Sequence, residues 1–420
     1  MTWLIVIGIV AAALLGAPLF SVFALAALIC FSSVGIDTQA IVIEITRLVS
    51  APILVAIPLF TFAGYLMAES KTPERMVRLT QALVGWMPGG LAIVTLFACA
   101  FFTAFTGASG VTIIALGGLL FPVLIKRGFS QKFSLGIVTT CGSLGLLFPP
   151  SLPMILYGLV ATVDVDLLFK AGVMPGFLLI LLLSLYSIWQ GKKTVSRIPF
   201  SGKELVSAAR RTIWEIPLPF IILIGIYGGY MTAAESAAVA AFYVFVVEVF
   251  IYRDLKLKTD VPRVMQESMV LVGGILIILA VAMGFTNFLI DEQVPMKIFD
   301  WIRQYIQSKF TFLLLLNGFL LIVGMLMDIF SAIIVVVPLI LPIANAFGVN
   351  PVHLGIIFLT NLEIGYLTPP VGLNLYLSSY RFKKPIMVIV RDVIPFVLLL
   401  LVGLILITYV PSLSLWMVTK

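Results

Sequence analysis

The run Gly145 Leu146 Leu147 Phe148 Pro149 Pro150 returns as Gly365 Tyr366 Leu367 Thr368 Pro369 Pro370, 220 positions later. The same offset pairs Gly64 with Gly284, Pro122 with Pro342, Gly128 with Gly348 and Thr140 with Thr360, so the chain contains an internal repeat. Paired prolines withhold two backbone donors and push the residue before them out of the helical region. A helix that enters either run must therefore break there. Both runs lie in strongly apolar sequence, where a broken backbone is tolerated only if it is buried in protein or lines a wet cavity. Two such breaks in corresponding positions point to the binding site of a transporter.

The whole composition is of the same kind. With 61% hydrophobic and 11% charged residues over 420 positions, and a mean hydropathy of +1.19, the expected fold class is an all-α polytopic membrane protein. The net charge of +7 comes from Lys and Arg in the short connections between apolar segments, the positive-inside pattern, and no nucleic-acid partner is expected. Cys30, Cys99 and Cys141 lie within apolar runs and read as packed thiols. The single His353 has no neighbouring ligand and reads as structural. There is no phosphate-binding glycine loop with Lys and Ser or Thr, and no nucleophile with a base, so neither ATP hydrolysis nor another enzyme activity is expected. The first apolar stretch lacks the basic start and cleavage pattern of a secretory signal.

Charge sets the expected topology. Lys192, Lys193, Arg197, Lys203, Arg210 and Arg211 form the densest basic loop and mark the cytoplasmic face, with Arg381, Lys383, Lys384 and Arg391 on the same side and Asp164, Asp166 and Val349 outside. The first repeat, 1–212, then reads as scaffold helices 1–70, an amphipathic arm 71–88, a hairpin 90–126, a broken helix 130–163 and a helix 167–190. The second, 213–420, reads as scaffold helices 213–290, an arm 292–308, a hairpin 311–347, a broken helix 351–380 and a helix 393–411. The two repeats have opposite topology, and their hairpins are re-entrant from opposite faces. Residues 2–16 and 18–34 read as two helices or as one helix kinked at Gly16 Ala17 Pro18. Each arm reads as an interfacial helix or as a solvated linker. Trp86, Trp301 and Trp416 read as interfacial anchors.

A broken helix exposes carbonyls at one half-helix end and amides at the other, so one interruption can hold a cation and an anion. The hairpin apices are Thr106 Gly107 Ala108 Ser109 Gly110 and Met327 Asp328 Ile329 Phe330 Ser331. Hard oxygen donors in small number suit Na⁺ as the coupling ion. Its candidate ligands are Thr106, Gly107, Ser109, Gly145 and Pro149 in the first repeat, and Met327, Asp328, Gly365, Thr368 and Pro370 in the second. Ser109, Ser151, Asp328, Thr368 and Asn374 are the candidate contacts for a solute carboxylate. Each has a plainer reading. Gly145 and Gly365 serve close helix packing, Ser109 and Ser151 bond a preceding carbonyl, and Asn374 caps the returning helix. Asp328 is an expensive carboxylate between apolar arms and reads as functional. Glu363 either pairs with Arg381 or Lys384 or faces a water-filled crevice.

The apex Thr106 Gly107 Ala108 Ser109 Gly110 Val111 Thr112 and the runs Gly145 to Pro150 and Gly365 to Pro370 resemble the large membrane subunit of tripartite ATP-independent periplasmic (TRAP) transporters, over essentially the whole chain. The resemblance implies a multi-pass importer of the bacterial inner (cytoplasmic) membrane, working by an elevator movement and driven by Na⁺. It also implies two protein partners: a small four-helix membrane subunit absent from this chain, and a periplasmic solute-binding protein that delivers the solute. Family solutes are carboxylates such as C4-dicarboxylates, sialic acids and other sugar acids. The alternatives are an ion-coupled carboxylate carrier that needs no binding protein, or a channel.

Overall fold

The computed structural model describes residues 17–35, 39–87, 89–194 and 200–418, and among them every regular element is helical. Among the described residues, eight helices are long and apolar enough to cross a membrane, or nine if the bent pair at the first break counts as one span. This is a polytopic helical membrane protein. Residues 2–16, assigned above to a first helix, lie outside the described residues.

The first half begins with α1 Leu19–Val34, α2 Gln39–Val49 and α3 Ala56–Glu69. Helix α2 falls between the expected apolar segments. Its polar residues Gln39, Glu44, Thr46 and Arg47 lower the hydropathy without breaking helical propensity. The first arm is α4 Thr72–Val84, with Pro73 in its first turn, where the missing amide hydrogen costs nothing. The first hairpin is α5 Gly90–Thr106 and α6 Ser109–Lys126. The broken helix is α7 Gln131–Cys141, one tight turn at Leu144–Leu147, and α8 Leu152–Ala161, bent by 44°. Ser130 starts α7 by accepting from Phe133 N at 3.2 Å. Then follow α9 Val165–Thr194 and α10 Gly202–Arg211.

The second half runs α11 Pro217–Tyr227, α12 Ala233–Ile251, α13 Asp260–Asp291, the arm α14 Val294–Tyr305, and the hairpin α15 Lys309–Leu326 and α16 Ile329–Ala346. It ends with α17 Pro351–Gly365, α18 Leu373–Phe382, α19 Ile386–Tyr409 and the short α20 Ser412–Leu415. The offset read from sequence recurs in the element bounds: α6 and α16 match at both ends, and α7 and α17 start in register. Both Pro-Pro bonds, 149–150 and 369–370, are cis. Where the first half interrupts its helix before Pro52, the second carries the single 32-residue α13.

The two halves interlock. Helix α8, after the first break, packs on α16, and α18, after the second break, packs on α6. Tyr157 of α8 is fully buried, and its hydroxyl donates to Pro351 O at 2.8 Å, tying the first broken helix to the start of the second. Lipid tails are as apolar as Leu, so close packing and buried polar contacts like this one hold membrane helices together.

The arms are attached in different ways. On α4, Arg75 bonds Glu215, reaches Asp254 at 2.5 Å and Glu248 at 3.0 Å, and stands 3.9 Å above the Tyr252 ring. Burial works against its charge, but the carboxylates of Glu248, Asp254 and Glu215 outweigh that and raise its pKa above the usual value. Thr72 donates to Glu248 at 2.7 Å, and Tyr252 donates to Glu215 at 2.8 Å. The second arm has no such ion cluster; α14 packs on α16 through an apolar face, while Trp301 and Tyr305 are exposed.

Candidate functional site

The first tip presses onto the first break. Gly107 has φ 64°, a left-handed conformation that glycine takes without the penalty of a Cβ, and a Cβ there would lie 2.6 Å from Leu152 Cβ at the start of α8. One turn earlier, Thr103 Oγ1 donates to Gly142 O at 2.8 Å. That uses its only proton, so Thr112 is the donor in the 2.6 Å Thr103–Thr112 pair. Thr106 is fully buried, with its hydroxyl 3.4 Å from Ala108 O. Ser109 and Ser151 are buried, and neither hydroxyl has a partner, nor has that of Thr140. The plainer reading of Ser109 and Ser151, a bond to a preceding carbonyl, is therefore not what the structure holds.

The second tip is closed by a different device. Met327 is extended and Asp328 caps α16: its Oδ1 accepts from Phe330 N at 3.0 Å and Ser331 N at 3.1 Å. The remaining first-turn amide, Ile329 N, donates to the Tyr366 hydroxyl at 2.6 Å. All three opening amides are thus satisfied, a condition a buried helix start must meet. The cap uses Asp328 Oδ1 alone. Thr368 donates to Ile364 O at 2.9 Å, Gly372 N to Met325 O at 3.2 Å, and Asn374 N to Tyr366 O at 3.1 Å.

The glycines of the two breaks are close-packing positions. A Cβ on Gly145 would lie 2.3 Å from Ala100 O and 2.5 Å from Ala104 N; one on Gly365 would lie 2.5 Å from Gly324 Cα and C. Ala104 and Gly324 are themselves related by the repeat offset, so each break rests on the same point of its own hairpin arm. The Gly145 and Gly365 carbonyls accept from Phe148 N and Thr368 N, each at 3.0 Å, within the tight turn of its own break. The half-sites differ in access: Ser109, Gly145 and Ser151 are buried, Asp328 and Thr368 are half-buried, and Pro369 and Pro370 are exposed.

Two expectations are corrected. Asn374 does not cap α18. That position is Gly372, without a side-chain bond, whereas Asn374 Nδ2 reaches Thr139 O of α7 at 3.5 Å and its Oδ1 has no partner. Glu363 pairs with neither Arg381 nor Lys384 and lines no open crevice. It is fully buried with both oxygens unpartnered, and the break redirects the chain so that Arg381 Nε bonds Ile114 O of α6 at 2.9 Å.

Sequence reasoning missed Thr103, Thr112 and Tyr366, and also a polar chain behind the second break. Asn361 donates to Asn317 at 2.7 Å, Asn317 to Thr408 at 3.1 Å, and His353 lies 2.6 Å from Ser414 Oγ and 3.2 Å from Thr408 O. The signal was present, since Asn inside an apolar span is costly without a partner.

A model of the family "Tripartite ATP-independent periplasmic transporter, DctM component" matches residues 6–413. The chain belongs to this family. This TRAP large permease is 40% identical over 364 residues to the C4-dicarboxylate TRAP transporter large permease protein DctM of Pseudomonas aeruginosa, across 86% of this chain and 85% of that one. It is 36% identical over 396 residues to the isethionate TRAP transporter permease protein DctMQ of Oleidesulfovibrio alaskensis, across 94% of this chain but 62% of the longer relative. The crystal structure of the Alcanivorax borkumensis YdaH transporter, described as having an unusual topology, shares the fold with a TM-score of 0.65. It covers 88% of this chain and 87% of its own at 15% identity, so the likeness is one of fold alone.

Proposed function

We propose that this TRAP large permease imports a carboxylate solute across the bacterial inner membrane together with Na⁺, taking the solute from a periplasmic binding protein and working beside a small four-helix membrane subunit. The observation that carries the reading is the pairing of each hairpin tip with a helix break, among buried oxygens that have no partner: Ser109, Ser151 and Asn374 Oδ1. Such oxygens are costly unless a ligand or water satisfies them. Na⁺ enters as a co-transported ion. At the first half-site, carbonyls of Thr106, Gly107, Gly145 and Pro149 with the Ser109 hydroxyl supply hard oxygen donors. At the second, Asp328 Oδ2, the Thr368 hydroxyl and the carbonyls of Met327, Gly365 and Pro370 do so. The solute carboxylate lies between, against Ser109, Ser151, Asp328, Thr368 and Asn374, its charge balanced by the bound cations.

The interlocked hairpins and broken helices, α5 to α8 and α15 to α18, form the moving body of an elevator; α1 to α3 and α11 to α13 form the scaffold, and the arms α4 and α14 join them. Division at residue 212 into two repeats of opposite topology underlies this arrangement. C4-dicarboxylates are the favoured solute class, supported by the named solute of the Pseudomonas relative; sialic acids and other sugar acids are the remaining candidates. The test is uptake of labelled succinate and of sialic acid into proteoliposomes holding the permease, the small subunit and the binding protein, with an imposed Na⁺ gradient. Uptake that requires all three proteins and the gradient is expected. Proton-driven uptake indifferent to Na⁺ overturns the coupling, and full uptake by the isolated permease overturns the partner requirement.

A further inference from the structure

A groove of about 410 Å³ lies between the second arm and its hairpin, away from both breaks. Its walls are apolar throughout: Ile298 and Ile302 from one face of α14, Ile306 just after it, Phe312 and Phe319 from α15, and Ile340 from α16. Phe312 stacks on Phe347 at 4.3 Å and Phe347 meets Phe299 edge-on at 5.3 Å, so this aromatic row fastens the arm to the hairpin. The first arm carries Arg78, Ala82 and Trp86 at the corresponding positions, so the isoleucine row is not repeated there.

The groove opens on the face of α15 where Leu314, Leu315, Phe319 and Ile322 are about half exposed, within a helix long and apolar enough to cross the membrane. Water has no polar partner on these walls, and an apolar cavity of this kind stays dry. Left empty, it would forfeit dispersion contacts on every wall. A helix is about 10–12 Å across with its side chains, so the volume would be filled by roughly one helical turn, too little to seat a partner helix. We infer that the groove binds an acyl chain of a bilayer phospholipid, entering from the lipid-facing side of α15. The headgroup sits at the rim of α14, where Trp301 and Tyr305 are exposed beside Lys297 and Arg303. Aromatic rings and cations hold an anionic headgroup at that depth; Asp300 is the one acid among them. The chain then fills the space between an arm and a hairpin that, on the elevator reading, move relative to each other.

The binding claim does not depend on that reading, and its test needs no transport. The full chain is placed in nanodiscs containing a phosphatidylglycerol with a diazirine near the end of one acyl chain, irradiated, digested and mapped by mass spectrometry. Adducts should concentrate on the α14, α15 and α16 residues that line the groove. Ile302→Trp, which fills it, and the milder Ile306→Phe at its rim should each lower that labelling at least fivefold. Labelling of the exposed face of α19, at Leu398, Val402 and Ile405, should stay unchanged as the check on folding. Adducts spread evenly over the lipid-facing helices, or unchanged in both variants, would overturn the inference. So would loss of groove labelling in nanodiscs that also contain the small subunit, which would assign the groove to that protein.

Discussion

Tyr366→Phe deletes one oxygen from the second half-site and leaves its apolar packing intact. That oxygen accepts the Ile329 amide at 2.6 Å, and the two residues are only 3% and 2% exposed, so no water can replace it while the tip is closed. An orphaned buried amide costs about 1–3 kcal/mol. The other opening amides of α16 keep their bonds to Asp328 Oδ1, which confines the cost to the contact between tip and break. In an open tip the amide reaches solvent and the loss disappears. The closed-to-open ratio should therefore fall by roughly 5- to 150-fold. If the closed tip completes the second Na⁺ site, the Na⁺ concentration for half-maximal uptake rises by up to the same factor. Initial rates in proteoliposomes across a Na⁺ series measure this, and the melting temperature in Na⁺-free buffer checks that the variant is folded. A folded variant with the parent's Na⁺ dependence would show that the hydroxyl does not govern the tip.

Asp328→Asn should keep the cap, because an amide oxygen can accept from Phe330 and Ser331 as the carboxylate does, yet it loses the charge. Half-maximal uptake should need more Na⁺ at an unchanged melting temperature, and an unaltered Na⁺ curve would sink the cation role. Arg75→Met leaves the carboxylates of Glu215, Glu248 and Asp254, themselves only 1–9% exposed, without their guanidinium, and breaking such a cluster costs about 3–5 kcal/mol. The melting temperature of the variant should therefore fall by several degrees, and a melt unchanged from the parent would refute the account. Single-cysteine variants Asp164→Cys and Lys192→Cys should react with an impermeant thiol reagent from opposite faces of oriented cells, and labelling from one face would remove the single crossing assigned to 130–163.

What was legible in the chain was whatever its own spacing encodes. The doubled Pro-Pro runs place both breaks and the flexible polar apices place both tips, because proline and glycine act on the backbone next to them. Partners distant in sequence were not legible. Arg75 meets carboxylates 140 to 179 residues away, and Asn374 reaches α7 across 235 positions. In sequence Tyr366 is a letter of the break motif, whereas its hydroxyl accepts from Ile329 N at the tip. Glu363 reads from sequence as a partner of Arg381 or Lys384 or as facing a water-filled crevice, but the turn at Pro369 and Pro370 carries Arg381 to Ile114 O and burial closes Glu363 off. Helix α2 escaped because hydropathy averages out a stretch with polar residues along its length.

The bonds from Tyr157 to Pro351 O, from Asn374 to Thr139 O and from Arg381 to Ile114 O all run from one repeat to the other. On the elevator reading, a body stitched together across the boundary between its repeats carries both half-sites at once. Occupancy of one half-site should therefore bias the other, so that Na⁺ saturation is sigmoidal and passage of a single ion without its companions is suppressed. Tight stoichiometry, on this view, is a property of the seam between the repeats as much as of the ligands that meet there.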